Sequence, residues 1–359
     1  MLFSHLHKMG YSARRRFAGF ATRAASCALL GIAAVAVGSA QPISVSGPVE
    51  GFVFDAPTGS LRSLVGVPGS AIFGPAILDG FDFGSVAPHQ NYGIAFKSSN
   101  CLLVSGLDGA SASTTVIAGV PARSDGMVWS ADGSLAVLYS SNNSLEHGPL
   151  GSKRGWIQTI TGLPGAPAAG AYVDISSLGG SLSAVAADAH GANIAIALSG
   201  AGGGVYLMSS SQPFAPILRL PKVTSLAFSP DGASLYALDT STPQLSRVDL
   251  KTLVAENLPL DGLAQPLAIR PDQDSQGRQV IYVASGSDRL LRIIDLTTQQ
   301  VVTDFPLTVA PSSIDTLGRD SFVIAARSQG TQPLWLFSVS PQPASYFVPA
   351  IYASAGGLQ

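Results

Sequence analysis

Histidine is the residue type that most often ligates a catalytic metal or carries a proton near neutral pH. Beyond residue 40 the sequence has three histidines, His89, His147 and His190. His89 and His190 sit in short turns between apolar runs, whereas His147 sits in a longer polar segment. Because a metal centre needs several ligands at one point, we interpret each as a solvated loop residue. We expect no metal site and no catalytic residues.

The polar segment SSNNSLEHGPLGSKRG, residues 140–155, is the strongest candidate for a binding site. Its charge density is high for a chain in which charged residues make up 12%, and long loops on a rigid scaffold commonly carry function. The lead-in loop before it is expected to face the same way. The candidate binding residues are Arg123, Asp125, Glu146, His147, Lys153 and Arg154. The alternative is a solvated insertion without a function.

A second polar segment, PDQDSQG at 271–277, resembles the start of a calcium-binding loop. Asp272, Asp274 and Gln276 alternate as ligands would, but the twelfth position of the pattern is Val283 instead of the bidentate Glu. We interpret the segment as a long polar turn and expect no cofactor, with Ca²⁺ at Asp272 and Asp274 as the disfavoured alternative. The sequence shows no G-x-S-x-G, no C-x-x-C and no phosphate-binding loop before a helix.

The N-terminal segment predicts export. Five basic residues and no acids precede or flank an apolar run at 27–37, which is followed by Gly38-Ser39-Ala40. We predict a secretory signal peptide at 1–40 and a single domain at 41–359, located in the periplasm or outside the cell. Ala13-Arg14-Arg15-Arg16-Phe17 also resembles a twin-arginine signal, so both export routes remain open. The apolar run is too short for a membrane span.

Net charge limits the kinds of partner that the protein could bind, and cysteine content limits the disulfides that it could form. Loss of residues 1–40 would leave 15 Lys and Arg against 22 Asp and Glu, a net charge near −7. Such a chain lacks the basic surface that nucleic acid or an anionic membrane needs. Cys101 would be the one remaining cysteine, so we expect no internal disulfide and a buried, inert thiol.

The elements that must position these residues are short strands in a repeated order. Apolar runs of five to seven residues alternate with Gly, Pro, Asp, Asn and Ser, and no helical period extends over three turns. Six tight turns recur, as in SPDG at 229–232, and their comparable positions are 91, 133, 191, 232, 277 and 320. In these turns Pro fixes φ, Asp bonds to the backbone and Gly adopts a positive φ.

Seven outer hairpins form a second repeat. They lie at 52–65, 103–119, 155–176, 206–220, 247–258, 293–305 and 336–348. A period of about 40–45 residues with four strands is typical of a β-propeller, in which inner strands are apolar on both faces.

The two counts differ, because seven hairpins accompany only six inner turns. We therefore predict an all-β protein with seven four-stranded blades, one of them irregular, and keep six blades as the alternative. Residues 67–82 or 43–46 would supply the missing inner pair of the first blade. We also expect closure to bring the chain ends together, since unpaired first and last sheets would expose long edges.

Part of this repeat resembles a repeat found in known proteins. Ser229-Pro230-Asp231-Gly232, then Leu235-Tyr236-Ala237 and Arg247-Val248-Asp249-Leu250, resembles the repeat of the YVTN/WD40-like propellers of bacterial exported proteins. The resemblance is good at 223–311 and weak elsewhere. It implies the propeller fold and leaves activity open, because this repeat serves enzymes and scaffolds alike.

From these observations we expect a non-catalytic, monomeric binding scaffold for a protein or a cell-surface glycan. The alternative is a propeller enzyme of the lactonase or lyase type with its site on the loop-rich face.

Overall fold

The computed structural model describes residues 47–88, 91–109, 111–120, 124–141, 155–200, 202–209, 212–274, 276–318, 320–340 and 342–350. These residues contain 27 β-strands and two single turns of 3₁₀ helix, Ala56–Thr58 and Ser176–Leu178, but no α-helix. They belong to one compact unit. None of the described helical segments is long and apolar enough to cross a bilayer.

The strands form seven antiparallel sheets, the blades of a β-propeller. In chain order, blade 1 contains β1 (Val49–Asp55), β2 (Ser60–Val65) and β3 (Ile72–Leu78). Blade 2 contains β4 (Phe83–Val86), β5 (Tyr92–Lys97), β6 (Asn100–Ser105) and β7 (Ser113–Val116). Blade 3 contains β8 (Gly126–Trp129), β9 (Ala136–Ser140), β10 (Trp156–Thr161) and β11 (Ala168–Asp174). Blade 4 contains β12 (Ser181–Ala187), β13 (Asn193–Ser199), β14 (Gly204–Ser209) and β15 (Gln212–Leu218).

Blades 5 to 7 repeat the same four-stranded order. Blade 5 contains β16 (Val223–Phe228), β17 (Ser234–Asp239), β18 (Gln244–Asp249) and β19 (Ala255–Leu258). Blade 6 contains β20 (Pro266–Gln273), β21 (Gln279–Ser285), β22 (Leu290–Asp295) and β23 (Gln300–Pro306). Blade 7 contains β24 (Asp315–Thr316), β25 (Ser321–Ala325), β26 (Leu334–Ser338) and β27 (Ala344–Val348). The prediction of seven blades is confirmed.

In blades 2 to 7 the first strand is innermost and the fourth is outermost. We call the end of the ring where the innermost strands begin the loop face, because it carries the lead-in loops and the loops between second and third strands. The opposite end, with the tight turns and the outer hairpins, is the turn face.

The second strands are buried on both sides, as the apolar runs predict. All six residues of β17 are buried, as are the five central residues of β13. Side chains from neighbouring blades fill the space between the sheets, as where Tyr282 contacts Phe322 with ring centroids 5.4 Å apart. Apolar residues of blades 1 and 7 share one such cluster, in which Leu64 packs with Val348. The hydrophobic core is therefore divided into layers between the blades.

The tight turns have the local chemistry that the sequence predicts. In the turn from β16 to β17, Asp231 Oδ1 accepts the amide of Ala233 at 3.0 Å and the hydroxyl of Ser229. Gly232 has φ +69°, a left-handed conformation that favours glycine. The recurrent aspartate therefore stabilises a chain reversal.

The structure of blade 1 differs from the prediction in two respects. It has three strands within the described residues, and β1 is the strand closest to the axis. The pattern at 52–65 forms the β1–β2 hairpin, so it is not the outer hairpin of this blade. Residues 72–78 form the outermost strand β3, so the segment 67–82 does not supply the missing inner pair. The error arose because Thr58 and Gly59 build the β1–β2 turn with the same residue types as an outer hairpin.

Candidate functional site

Asp125 lies on the loop face at the start of the insertion, as predicted. Its Oδ2 accepts the hydroxyl of Ser140 at 2.9 Å and the amide of Ser141 at 2.7 Å. Ser140 ends β9, and Ser141 follows it in the polar segment. The carboxylate therefore fixes the first residues of the insertion to the lead-in loop of the same blade.

A comparable contact in blade 2 indicates what this carboxylate does. Asp82, directly before β4, accepts the amide of Ser98, directly after β5, at 2.7 Å. Asp125 and Ser141 hold the same positions relative to β8 and β9. Joining the lead-in loop to the end of the second strand is thus a repeated structural device. Asp125 makes this structural contact whether or not it also contacts a ligand.

The other five candidate residues lie outside the described residues. They are Arg123, Glu146, His147, Lys153 and Arg154. The binding site proposed on the 140–155 segment therefore stays a prediction.

A polar group that the sequence did not indicate lies near the axis of the ring. Tyr139, on β9, extends over Gly126, on the innermost strand β8, so that a Cβ at Gly126 would collide with its phenol carbon and oxygen. Only glycine leaves this path open. The half-buried Tyr139 hydroxyl thereby reaches the innermost layer of the loop face.

Charged side chains from two distant blades act on the same region. The carboxylate of Asp315, the first residue of β24, influences the Tyr139 hydroxyl electrostatically, although the two residues belong to blades 7 and 3. Arg270, on β20 of blade 6, is in turn within electrostatic range of Asp315. We call Tyr139, Arg270 and Asp315 the mouth cluster.

The pKa shifts in the mouth cluster reflect a partly desolvated setting. Desolvation, reinforced by the charges of Asp125 and Asp315, raises the pKa of Tyr139. Desolvation also raises the pKa of Asp315, while Ser313 and Arg270 oppose this effect. Asp315 nevertheless keeps an exposed surface, which is the combination expected for a side chain at the mouth of a narrow channel.

Arg270 is incompletely paired. Its Nε lies 3.7 Å from Asp272 Oδ2 and has no hydrogen-bond partner among the described atoms. The guanidinium carbon lies 5.5 Å from the centroid of the Phe322 ring. Desolvation lowers the pKa of Arg270, whereas Asp272 and Asp315 favour its charged form. The cluster thus offers a cation, an anion and a phenol for recognition of a polar group.

The segment with the calcium-like pattern is divided between a strand and a turn. Asp272 belongs to β20, which extends to Gln273, so the turn is shorter than the predicted 271–277. Asp274 Oδ1 accepts the amides of Gln276 and Arg278 at 2.9 Å, and Oδ2 pairs with Arg278 Nη2 at 2.7 Å. This carboxylate has the turn role expected of it. Binding of Ca²⁺ at Asp272 and Asp274 stays a prediction for metal analysis to test.

The one described histidine beyond residue 40, His190, is on the turn face. Its side chain is 84% exposed, and Nδ1 lies 3.4 Å from Asp132 Oδ2 in the neighbouring blade. Among the residues that the structure describes, no three His, Cys, Asp or Glu side chains are grouped so that they could hold a metal ion.

Comparisons with known proteins identify the fold alone. No model of a known protein family matches the chain, and no curated protein does. Many solved structures are similar, 1146 chains in all. One is the crystal structure of a functionally unknown protein from Desulfotomaculum acetoxidans, with a TM-score of 0.58 and 13% identity. The match covers 84% of this chain and 96% of that one.

Proposed function

We propose that this protein is an exported, non-catalytic binding propeller whose partner docks on the loop face. The observation that carries the proposal is the mouth cluster, in which Tyr139, Arg270 and Asp315 come together from three blades. Ring geometry alone does not require such polar groups near the axis. An incompletely paired arginine and a partly desolvated carboxylate are typical of groups that bind a ligand.

Export rests on the sequence of residues 1–40 and on the resemblance to exported YVTN/WD40-like propellers. The test is the N-terminus of the protein recovered from the periplasm or the medium. We expect it to begin at Gln41. Accumulation of the uncleaved chain in the cytoplasm would contradict export.

The partner is best sought among proteins and cell-surface glycans. The net charge near −7 that follows from loss of residues 1–40 disfavours polyanions such as nucleic acid. In the mouth cluster, Asp315 supplies an acceptor and Arg270 supplies donors, so a partner with both kinds of group could form hydrogen bonds with both residues.

A pair of matched variants tests the docking surface. Asp315→Asn removes one charge from the mouth cluster, and Asp320→Asn removes one charge from the tight turn of the same blade. Affinity capture with the intact protein, followed by quantitative mass spectrometry, measures the partner retained. We expect Asp315→Asn to lower capture at least about tenfold, by loss of a charged hydrogen bond, and Asp320→Asn to leave it unchanged.

Tyr139→Phe supports the same test because it keeps the ring and removes only the hydroxyl. A several-fold loss of capture is expected for this variant. Equal capture by wild type, Asp315→Asn and Tyr139→Phe would contradict the proposed docking surface. A shared loss in Asp315→Asn and Asp320→Asn would show that net charge, and not the loop face, determines binding.

The enzymatic alternative of the lactonase or lyase type is tested separately by metal analysis of the purified protein. A stoichiometric Ca²⁺ or other divalent ion would overturn the non-catalytic proposal, since those enzymes place a metal near the propeller axis. Metal-free protein that still captures its partner would support a binding role.

A further inference from the structure

A cavity of about 840 Å³ lies at the turn face, beside blade 1. Innermost strands end at this face, and Pro88 after β4 and Gly318 after β24 both line the cavity. The outer hairpin of blade 2 contributes residues 107–109. No residue of the mouth cluster lines the cavity, so it is separate from the docking surface proposed above.

The wall of the cavity is largely apolar. Val49 at the start of β1, Ile77 on β3 and Leu107 in the hairpin of blade 2 all line it. Ile77 and Leu107 also belong to the apolar layer between blades 1 and 2, whereas Val49 is 50% exposed. Small-molecule sites typically combine such apolar walls with a few polar groups.

The polar groups of the cavity include two carboxylates. Glu50 and Asp108 are the charged residues among the described residues that line it, and none of these lining residues is basic. Glu50 Oε1 accepts the hydroxyl of Ser321 at 2.6 Å, which leaves its second oxygen for a further donor. Asp108 is exposed and makes no hydrogen bond or ion pair with the described residues. The cavity therefore favours a ligand that carries positive charge.

The two carboxylates are held by different neighbours of blade 1. Glu50 is joined to blade 7 through Ser321, the first residue of β25. Asp108 belongs to blade 2, where the neighbouring amide of Leu107 donates to the carbonyl of Asn91 at 3.1 Å. A ligand that pairs with both carboxylates must therefore be elongated, and its middle part must follow the apolar wall.

We propose that this cavity binds an elongated organic dication of the aliphatic diamine class. One ammonium group pairs with Glu50 and the other with Asp108, while the methylene chain contacts Val49, Ile77 and Leu107. A monoamine compensates only one carboxylate. An inorganic divalent cation fits less well, because it needs several oxygen ligands at about 2.0–2.6 Å from one point. The described residues contain no group of three acidic, His or Cys side chains that could hold one.

Isothermal titration calorimetry of the purified protein with α,ω-diaminoalkanes, from diaminobutane to diaminododecane, tests the proposal. The controls are the n-alkylamine and the α,ω-alkanediol of the same chain length. We expect the best diamine to bind at least about tenfold more tightly than its monoamine, because it gains a second charged hydrogen bond. We expect no measurable binding of the diol. Equal affinities of diamine and monoamine, or no binding of any diamine, would overturn the proposal.

Single variants at each carboxylate locate the site. Glu50→Gln keeps an oxygen that can accept the Ser321 hydroxyl, and Asp108→Asn changes an exposed residue without described side-chain contacts. Each should lower the diamine affinity at least about tenfold, because one charged hydrogen bond is lost. Asp79→Asn removes the same charge from an exposed position outside the cavity and should leave the affinity unchanged.

The pattern across the three variants decides the result. An equal loss in Asp79→Asn and Asp108→Asn would show that net charge alone attracts the diamine, and this result would overturn the proposal. Unchanged affinity in Asp108→Asn would do the same. Because Asp108 contributes no described contact to the fold, its variant remains a valid test even if Glu50→Gln weakens the protein.

Discussion

A buried ion pair joins the first and last blades, and its removal should weaken ring closure. Asp55 ends β1, and its carboxylate is fully buried. Arg327 follows β25, and its side chain is 2% exposed, with Nε 3.0 Å from Asp55 Oδ1. Among the described residues, neither Arg327 Nε nor Asp55 Oδ1 has a hydrogen-bond partner. The contact is therefore a charge pair with few supporting bonds.

Asp55 and Arg327 differ in the contacts that each keeps when the other is substituted. Without Arg327, Asp55 keeps the hydroxyl of Thr58 at 2.6 Å and Arg62 Nε at 3.4 Å. Without the Asp55 charge, the described contacts left to Arg327 are the Gly330 carbonyl at 3.0 Å and the face of the Phe73 ring at 4.9 Å. Breaking a buried pair costs about 3–5 kcal/mol. Because Arg62 and Thr58 still compensate Asp55, we expect Arg327→Met at the lower end of this range and Asp55→Asn at the upper end.

Urea unfolding followed by tryptophan fluorescence measures these effects. The expected losses in the free energy of unfolding correspond to a decrease in Tm of roughly 6–10 °C for a domain of this size. The double variant should lose less than the sum of the single losses, because the two substitutions remove one shared interaction. Arg219→Met, at an exposed arginine, is the control and should stay within about 0.5 kcal/mol of wild type. Equal stability of Arg327→Met and Arg219→Met would show that the ion pair between Asp55 and Arg327 does not stabilise the fold.

Three further predictions concern titratable groups. Burial raises the pKa of the Cys101 thiol to about 12, so a thiol reagent at pH 8 should react only after unfolding; fast reaction of the native protein would contradict burial. Hydrogen bonds from Ser229 and Ala233 lower the pKa of Asp231 below its value of 3.8 in the unfolded chain. The stability that the Asp231 carboxylate contributes is therefore present above pH 3.8 and is lost as the pH falls through the folded pKa. Asp231→Asn should therefore flatten the decline in urea midpoint between about pH 5 and pH 3, and an unchanged decline would exclude this role. Desolvation raises the pKa of Asp315, so its charge opposes folding above its unfolded value of 3.8, and Asp315→Asn should raise the urea midpoint at pH 7.

The sequence predicted the fold because its signals are local. An aspartate followed by glycine, as at Asp231 and Gly232, determines a chain reversal through contacts within four residues. Six such turns and the accompanying hairpins were enough to establish the four-strand period. The prediction for blade 1 is wrong because the described residues of this blade contain no inner turn, and its β1–β2 hairpin resembles an outer hairpin in composition.

The mouth cluster could not be predicted in the same way. Tyr139 and Asp315 are brought together by closure of the ring, and nothing in their neighbouring residues indicates it. The one local signal is Gly126, because a glycine at the start of an innermost strand permits the crossing of Tyr139. The common orientation of Asp125 and the insertion was predictable, since blade order alone places both on the loop face.

Site-specific photocrosslinking in host cells tests most directly whether the loop face is the docking surface. A photoreactive residue would replace exposed Ser312 or Lys222 on the loop face, or exposed Lys251 on the turn face. If the partner docks on the loop face, we expect a crosslinked partner from positions 312 and 222 and none from position 251. A crosslink from position 251 alone would contradict docking on the loop face.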